Sequence, residues 1–234
     1  MDYRDHQAGV DGQHFWFKGK NKLINYLLSQ ACKSKDAKIL NVGVGTGEDL
    51  GTIKKFGSVY VLDIDQQALD MISEYLVVEK KMADVCAIPY PDNSFDLVVA
   101  FDVMEHVQND QKMADEIYRI LKPGGTFVFT VPAFNFLYSG HDQVLHHFRR
   151  YNKKMIRPVM EKFTKISLGY WFFFLFLPAA ANRLMNKKST SLSMFRLPDW
   201  INAFFYQVLN LEIWLLKKGI GFPFGLTLYG IYKK

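Results

Sequence analysis

The chain has 234 residues, of which 49% are hydrophobic and 22% charged, with 16 glycines, 8 prolines and a net charge of +6. This balance excludes a disordered or collagen-like protein and is sufficient to bury a core, so we predict a single globular domain over residues 1–234. Two cysteines exclude a disulfide framework, and the opening residues lack the pattern of a secretory signal, so we expect a cytoplasmic protein.

Short apolar runs rich in β-branched residues predict strands, and the gaps between them leave room for crossover helices. After a helix at about 15–32, the predicted strands cover 38–44, 58–65, 94–101 and 125–132. Because parallel strands need long crossover connections, this order predicts an α/β fold built on a mainly parallel sheet.

Three glycines alternate at Gly43, Gly45 and Gly47, where the first strand ends and a helix should begin. Glycine lets the backbone turn sharply and approach a ligand where any Cβ would collide. Asp63 ends the next strand, and in nucleotide-binding folds an acid at that place accepts hydrogen bonds from two ribose hydroxyls. The spacing therefore predicts a nucleoside-binding crevice at the carboxyl edge of the sheet.

Glu48 and Asp49 follow the glycines directly. A dinucleotide fold would have G-x-G-x-x-G and a pyrophosphate at the helix N-terminus, which two carboxylates would repel. A sulfonium or ammonium group suffers no such repulsion, so the sequence favours a cationic cofactor over a nicotinamide-dependent oxidoreductase. The alternative is that the glycines make only a tight turn and that the acids only complement the helix dipole.

Four segments in order resemble the class I S-adenosylmethionine (SAM) dependent methyltransferases, in particular the type 11 group typified by ubiquinone/menaquinone biosynthesis. They are NVGVGTG, VLDIDQQAL, MADVCAIPYPDNSFDLVVAFDVMEHV and YRILKPGGTFVFTVP, within residues 14–151. The resemblance implies a Rossmann-like fold with a mainly parallel seven-stranded sheet whose last strand is antiparallel. It also implies SAM as cofactor, S-adenosylhomocysteine (SAH) as product, and methyl transfer by in-line displacement. The alternative without catalysis is a SAM-binding regulatory or interaction module.

The resemblance further implies which residues hold the cofactor. The three glycines would lie under the methionine and ribose, Asp63 would bind the ribose and Ile64 would flank the adenine. The other positions that match cofactor contacts of the family are Asn41, Asp84, Val85 and Phe101. Asn41 departs from the Asp or Glu that the family often has, although an amide can still donate and accept hydrogen bonds. The alternatives are a turn or cap acid for Asp84 and a core aromatic for Phe101.

The loop after the predicted strand at 125–132 carries a D-x-x-x-x-H-x-R-R-Y element that the family group shares. We expect His141, Asp142 and His147 to place a base near the methyl group, which would help an oxygen acceptor lose its proton. The expected substrate contacts are Trp16, His106, Arg149, Arg150 and Tyr151, the arginines acting as bidentate clamps for a phosphate or carboxylate. The alternatives are that Asp142 pairs with an arginine to pin the loop, and that His106 is structural.

A metal site is not expected from the histidines of this loop. The pattern H-D-x-x-x-H-H lacks the HExxH spacing that presents two ligands from one helix face, and no cysteine lies nearby in sequence.

The last third of the chain changes character, with 13 basic and 3 acidic residues after Arg150 against 16 and 20 up to it. The apolar run 166–181 is shorter than the ~20 residues of a membrane span. The run 199–219 has helical apolar spacing and ends in lysines. We predict a helical cap or insertion over 170–219 that either lies on anionic lipid or covers a hydrophobic acceptor, and a final strand at 225–233. The alternative for the cap is packing on the sheet or in a dimer interface.

These features together predict a small-molecule, glycan-linked or lipid-linked acceptor and a monomeric or homodimeric protein that associates peripherally with the inner membrane face. Nucleic acid is not an expected partner, because the basic residues alternate with apolar runs and no recognised binding motif accompanies them.

Overall fold

The protein is described by a computed structural model that covers residues 14–34, 36–187 and 197–234. Residues 188–196 of the predicted cap lie outside the described residues, as do residues 1–13 of the predicted domain.

Strands alternate with helices along the described chain. The strands are β1 (Ala37–Val42), β2 (Gly57–Asp63), β3 (Glu79–Met82), β4 (Phe95–Phe101), β5 (Leu121–Pro132), β6 (Thr164–Trp171) and β7 (Thr227–Lys233). The α-helices are α1 (Phe15–Ala31), α2 (Leu50–Ile53), α3 (Gln66–Met71), α4 (Asp110–Ile120), α5 (Gly140–Val144), α6 (Lys153–Val159), α7 (Phe176–Met185) and α8 (Asp199–Lys217).

The seven strands form one sheet in the order β3-β2-β1-β4-β5-β7-β6. Strands β1 to β5 pair in parallel, whereas β7 runs antiparallel to both β5 and β6. The central strands are apolar on both faces because helices cover both sides of a parallel sheet. The predicted fold class, with its antiparallel last strand, is confirmed.

Several boundaries differ from the expected ones, among them the end of the first strand at Val42 instead of 44 and the start of the last strand at Thr227 instead of 225. Local structure explains two further differences. The second strand ends at Asp63 rather than 65, because Asp65 caps α3 by accepting a hydrogen bond from the Gln67 N–H at 2.9 Å. The fifth strand begins at Leu121 rather than 125, because Leu121 already pairs with Phe95 of β4 before the KPGG turn.

Helices α1 and α8 cover one face of the sheet together. The buried side chains of α8 are Leu209, Glu212, Ile213 and Leu216, and they join the same core as Leu23, Ile24, Leu27 and Leu28 of α1. The buried Glu212 carboxylate accepts hydrogen bonds from the Phe172 and Phe174 N–H groups at 2.8 and 2.9 Å, which ties α8 to the chain after β6. The inner face of the predicted cap therefore packs on the sheet.

The parallel arrangement brings the carboxyl ends of β1, β2, β4 and β5 to one edge of the sheet. In open α/β sheets this edge is where ligands bind. The glycine loop follows β1, and the segments that carry the acceptor-side candidates follow β4 and β5.

Gly57, the first residue of β2, provides a test of this pairing. A Cβ added there would collide with the Ala37 carbonyl of β1, whereas a Cβ on Gly51 in α2 would meet nothing within 4 Å. We expect Gly57→Ala to lower the free energy of unfolding by about 1–3 kcal/mol, because strand β1 must move away to accommodate it. Gly51→Ala should be neutral or stabilising by up to about 1 kcal/mol. Urea unfolding of both variants checks this, and equal stabilities would contradict the β1–β2 geometry.

Candidate active site

The loop after β1 has the backbone that the three glycines predict. Gly43, Gly45 and Gly47 all have positive φ angles, of 66°, 51° and 69°. A Cβ on Gly43 would lie 2.5 Å from the Val103 side chain, so the loop approaches the segment after β4 as closely as a bare backbone allows. This close approach leaves backbone N–H groups at the carboxyl edge of the sheet.

The Asp63 carboxylate joins the end of β2 to the glycine loop. Its Oδ2 accepts a hydrogen bond from the Gly45 N–H at 3.0 Å, and its Oδ1 accepts one from the Asp65 N–H at 3.0 Å. An ionised carboxylate has about four lone-pair sites, so both oxygens can still accept from ribose hydroxyls. Ile64 is 73% exposed beside it and presents an apolar side chain where an adenine would stack. These residues fit an adenosyl group.

The methionine end of the cofactor would meet Asn41 and the two acids. Asn41 is buried, and its Nδ2 makes no hydrogen bond of ordinary geometry in the described residues, although it lies near Asp49. Burial raises the pKa of Asp49, and nearby positive charge, including Lys20, opposes that rise. A small cleft opens here, lined by Phe17, Lys20, Asn21, Ile24, Val44, Glu48 and Asp49. The two acids at this cleft would complement the ammonium group of SAM, and the Asn41 amide lies beside Asp49.

The remaining cofactor candidates lie on three different features. Asp84 is exposed, and its Oδ1 accepts a hydrogen bond from the Cys86 N–H at 2.8 Å, so it caps the turn after β3. Val85 is 9% exposed and packs in the core on one face of the sheet. Phe101 is 5% exposed and packs in the core on the other face. The second carboxylate oxygen of Asp84 can accept a hydrogen bond from a ligand. The assignments of Asp84, Val85 and Phe101 to the cofactor stay predictions.

An ion pair that the sequence did not reveal connects α1 to the end of β4. Lys20 Nζ lies 2.6 Å from Asp102 Oδ2, and the Thr130 hydroxyl donates to Asp102 Oδ1 at 2.8 Å. Burial alone would raise the pKa of Asp102, but Lys20 and these hydrogen bonds lower it to about 2. Lysine and aspartate 82 positions apart carry no recognisable signal, so only the fold pairs them. The pair holds α1 against the cofactor crevice.

Asp142 is the centre of a buried network after β5. Its Oδ1 lies 2.9 Å from His147 Nδ1 and accepts from Arg150 Nε at 2.8 Å, while Oδ2 accepts from Arg183 Nη2 at 3.0 Å. Burial opposes ionisation of Asp142, but His147 and the two arginines hold its pKa well below the usual range. The carboxylate is therefore charged, and it fixes the His147 ring and the loop around it. His141 precedes it in the first turn of α5.

The expected substrate clamps are engaged within the protein. Arg150 is 4% exposed and paired with Asp142, and Tyr151 is fully buried, with its hydroxyl donating to Asp110 Oδ2 at 2.8 Å. Arg149 pairs with the same Asp110 at 2.7 Å. Trp16 packs against the Trp171 and Phe172 rings at 5.5 and 4.8 Å. This arrangement favours positioning roles for these residues over direct contact with an acceptor.

His106 lies beside the Asp142 network instead of among the expected clamps. Its ring meets the His147 ring edge-on, with centroids 4.6 Å apart, and Glu105 immediately before it is 1% exposed. Glu105 and His106 belong to a tight turn after β4, Met104–His106, so the segments after β4 and β5 converge here. Sequence reasoning did not bring Glu105 into the site.

Comparison with known proteins agrees with this geometry. Residues 40–129 match the family model described as a methyltransferase domain, of the type 11 group. Over 156 residues the chain is 28% identical to a probable S-adenosylmethionine-dependent methyltransferase of Mycolicibacterium smegmatis, covering 65% of this chain and 60% of that relative. Over 114 residues it is 33% identical to the ubiquinone/menaquinone biosynthesis C-methyltransferase UbiE of Neisseria meningitidis, covering 44% of this chain and 46% of that relative. The chain thus spans about half the length of the curated relatives it matches.

The crystal structure of a candidate methyltransferase from Bacillus halodurans has the same fold. The two structures agree with a TM-score of 0.62 at 18% sequence identity, over 89% of this chain and 96% of that chain.

The Asp63 assignment predicts a change in cofactor affinity. We expect Asp63→Ala to weaken SAH binding by about 10- to 100-fold, because hydrogen bonds to a charged group contribute about 1.5–3 kcal/mol each. Isothermal titration with SAH measures this. Asp70→Ala, which removes an exposed carboxylate from α3, should leave the affinity unchanged. Equal affinities of the wild type and Asp63→Ala would remove the ribose assignment.

Proposed function

Because the chain carries a class I SAM-dependent methyltransferase domain, we propose that it transfers a methyl group from SAM to the oxygen of a small-molecule, glycan-linked or lipid-linked acceptor. The proposal rests on the hydrogen bond from the Gly45 N–H to the Asp63 carboxylate, at 3.0 Å. The buried His147–Asp142 pair lies at the same edge of the sheet. Cofactor-binding and proton-accepting groups thereby share one edge of the sheet.

Bound SAM would supply a methyl group already activated by its positively charged sulfur. The residues of the chain therefore need to hold donor and acceptor in line and to keep water away, and such positioning can lower a barrier by about 7–11 kcal/mol. Asp63 and the glycine loop would hold the adenosyl part. Glu48 and Asp49 would face the cationic methionine part, whose charge they complement.

His147 is the proposed base. The charged Asp142 carboxylate binds the ring through Nδ1, which orients the imidazole and leaves Nε2 to accept the proton of an acceptor hydroxyl. Asp142 then acts as a positioning residue, and His141 is the second candidate for a group near the acceptor. A histidine oriented by a buried carboxylate is an arrangement for proton transfer, which supports an enzyme over a SAM-binding module without turnover.

A labelled methyl group tests the proposal. Protein incubated with SAM carrying a deuterated methyl, together with a total lipid extract or a polar metabolite extract, should give a product heavier by one labelled methyl in mass spectrometry. We expect His147→Asn to reduce the rate of its formation by about 10²–10⁴-fold, as general-base catalysis contributes this much. SAH affinity should be retained.

The matched control is His146→Asn, next in sequence and exposed, where φ is 57° and asparagine suits that backbone. It should keep the wild-type rate. SAH binding without a labelled product in either extract would favour the regulatory module, and labelled carbon or nitrogen in the product would contradict the assignment to oxygen.

An apolar stripe on α8 supports a lipid-linked acceptor at the cytoplasmic face of a membrane. Trp200, Phe204, Leu211 and Trp214 are 75%, 61%, 47% and 54% exposed, and their spacing places them on one side of the helix. Lysines 217 and 218 follow at its end. Among the described residues, no helix is long and apolar enough to cross a bilayer. An aromatic stripe next to lysines is typical of helices that lie on anionic lipid.

Sedimentation with liposomes tests this part of the proposal. We expect the protein to sediment with anionic phosphatidylserine vesicles at low salt, and less at high salt or with neutral phosphatidylcholine vesicles, because lysines attract anionic lipid. The combined variant Trp200→Gln, Phe204→Gln and Trp214→Gln should lose most of this binding. Tyr75→Gln, which alters an 89% exposed aromatic residue on another element, is the control and should bind normally. Equal sedimentation of all variants would contradict a lipid-facing stripe.

A further inference from the structure

A cluster of three metal-ligating side chains lies at the carboxyl edge of the sheet. One carboxylate oxygen of Glu105 and one ring nitrogen each of His106 and His147 all lie within 4.8 Å of one another. They come from two segments, the turn after β4 and the loop after β5, which the sheet brings together. A zinc ion with ligands at about 2.0–2.2 Å needs them roughly 3–3.6 Å apart. Closing the cluster on an ion therefore takes side-chain shifts of about an ångström.

Glu105 supplies independent evidence for a missing positive group. The residue is 1% exposed, and its Oε2 is buried with no hydrogen-bond partner in the part of the chain that the structure describes. The two nearby cations are committed elsewhere, Lys20 to Asp102 at 2.6 Å and Arg150 to Asp142 at 2.8 Å. A buried carboxylate without a partner is costly, so it must either hold a proton or face a cation.

The surroundings of His147 match those of a metal-ligating histidine. Such histidines bind the metal through one ring nitrogen and donate the other N–H to a carboxylate, which fixes the ring and its tautomer. In this protein the Asp142 carboxylate is hydrogen-bonded to Nδ1 of His147 at 2.9 Å, which leaves Nε2 to bind the ion. The His106 ring lies edge-on to it at 88°.

We propose that Glu105, His106 and His147 bind a divalent transition-metal ion of the Zn²⁺ and Co²⁺ class, with a fourth position open to the acceptor oxygen. Two imidazoles and one carboxylate suit these ions, whereas Mg²⁺ and Ca²⁺ prefer oxygen ligands alone. Three protein ligands and one open position are typical of catalytic zinc sites, while structural sites are closed by four.

The role of the open position rests on the proposed function. An acceptor hydroxyl held there would lose its proton more readily, because a bound divalent cation lowers the pKa of coordinated oxygen. The acceptor oxygen then forms a bond to the methyl carbon as the carbon–sulfur bond breaks. The bonding pair stays on sulfur, which gives neutral SAH, and the hydroxyl proton passes to solvent. With the ion bound, His147 Nε2 would be a ligand and could not accept the proton, so coordination to the ion would replace the base role proposed for His147.

Metal binding by the 234-residue chain tests the site without SAM or any acceptor. After dialysis against a chelator, titration with Zn²⁺ in a calorimeter should show one ion per chain, and Co²⁺ should give the visible absorption of a low-symmetry site. We expect Glu105→Gln to weaken Zn²⁺ binding by at least about 10- to 100-fold. This substitution keeps the shape of the side chain and removes only its charge, so the variant should fold, which thermal unfolding verifies.

Two further variants make the result decisive. His106→Gln should weaken Zn²⁺ binding similarly, whereas His146→Asn, outside the cluster, should bind as the wild type does. Tight Mg²⁺ binding, no Zn²⁺ binding by the wild type, or equal Zn²⁺ affinity in the wild type and Glu105→Gln would overturn the site. SAH titration of the same samples separates the two proposals. A protein that binds Zn²⁺ but not SAH would refute the proposed function alone, and one that binds SAH but not Zn²⁺ would refute the metal site alone.

Discussion

A buried carboxylate needs a positive or hydrogen-bonding partner, and this constraint organises the edge of the sheet where the site lies. Glu105 and Asp142 lie there with little contact to water, and Asp102 lies half-buried at the same edge. Asp102 has Lys20, and Asp142 has His147 and two arginines, so each of these carboxylates fastens a distant segment to the sheet. Of these three, Glu105 alone lacks such a partner among the described residues, and the proposed metal ion would supply one.

The cofactor half of the site could be predicted from the sequence because its determinants are local. Glycine permits the positive φ angles that Gly43, Gly45 and Gly47 adopt, and Asp63 ends β2, which pairs with β1. Side chains within about 20 positions of one another, on adjacent strands, meet for reasons that spacing alone supplies. The antiparallel last strand, in contrast, was implied by the family resemblance and not by spacing.

The acceptor half could not be predicted in the same way, because its contacts join distant segments. Glu105 and His147 meet only because β4 and β5 are neighbours and the loop after β5 folds back over the turn after β4. The pattern of histidines around His141 gave no reason to expect a metal, because it contains ligands from one segment only. The other two ligands of the proposed site, Glu105 and His106, come from the segment DVMEHV. Arg150 was expected to clamp substrate because burial is invisible in a motif, and the structure favours the stated alternative, in which Asp142 pairs with an arginine.

The cap and the proposed acceptor site are mechanically linked through Arg183 of α7. Its guanidinium donates to Asp142 Oδ2 at 3.0 Å and to the Leu137 carbonyl at 3.1 Å, so the first cap helix is fastened to the carboxylate that orients His147. Arg183 and His147 share Asp142 as their partner. A displacement of α7 would therefore also move the imidazole, because separating a buried carboxylate from its partner is costly. The first cap helix and the His147 ring are therefore held by the two oxygens of one carboxylate.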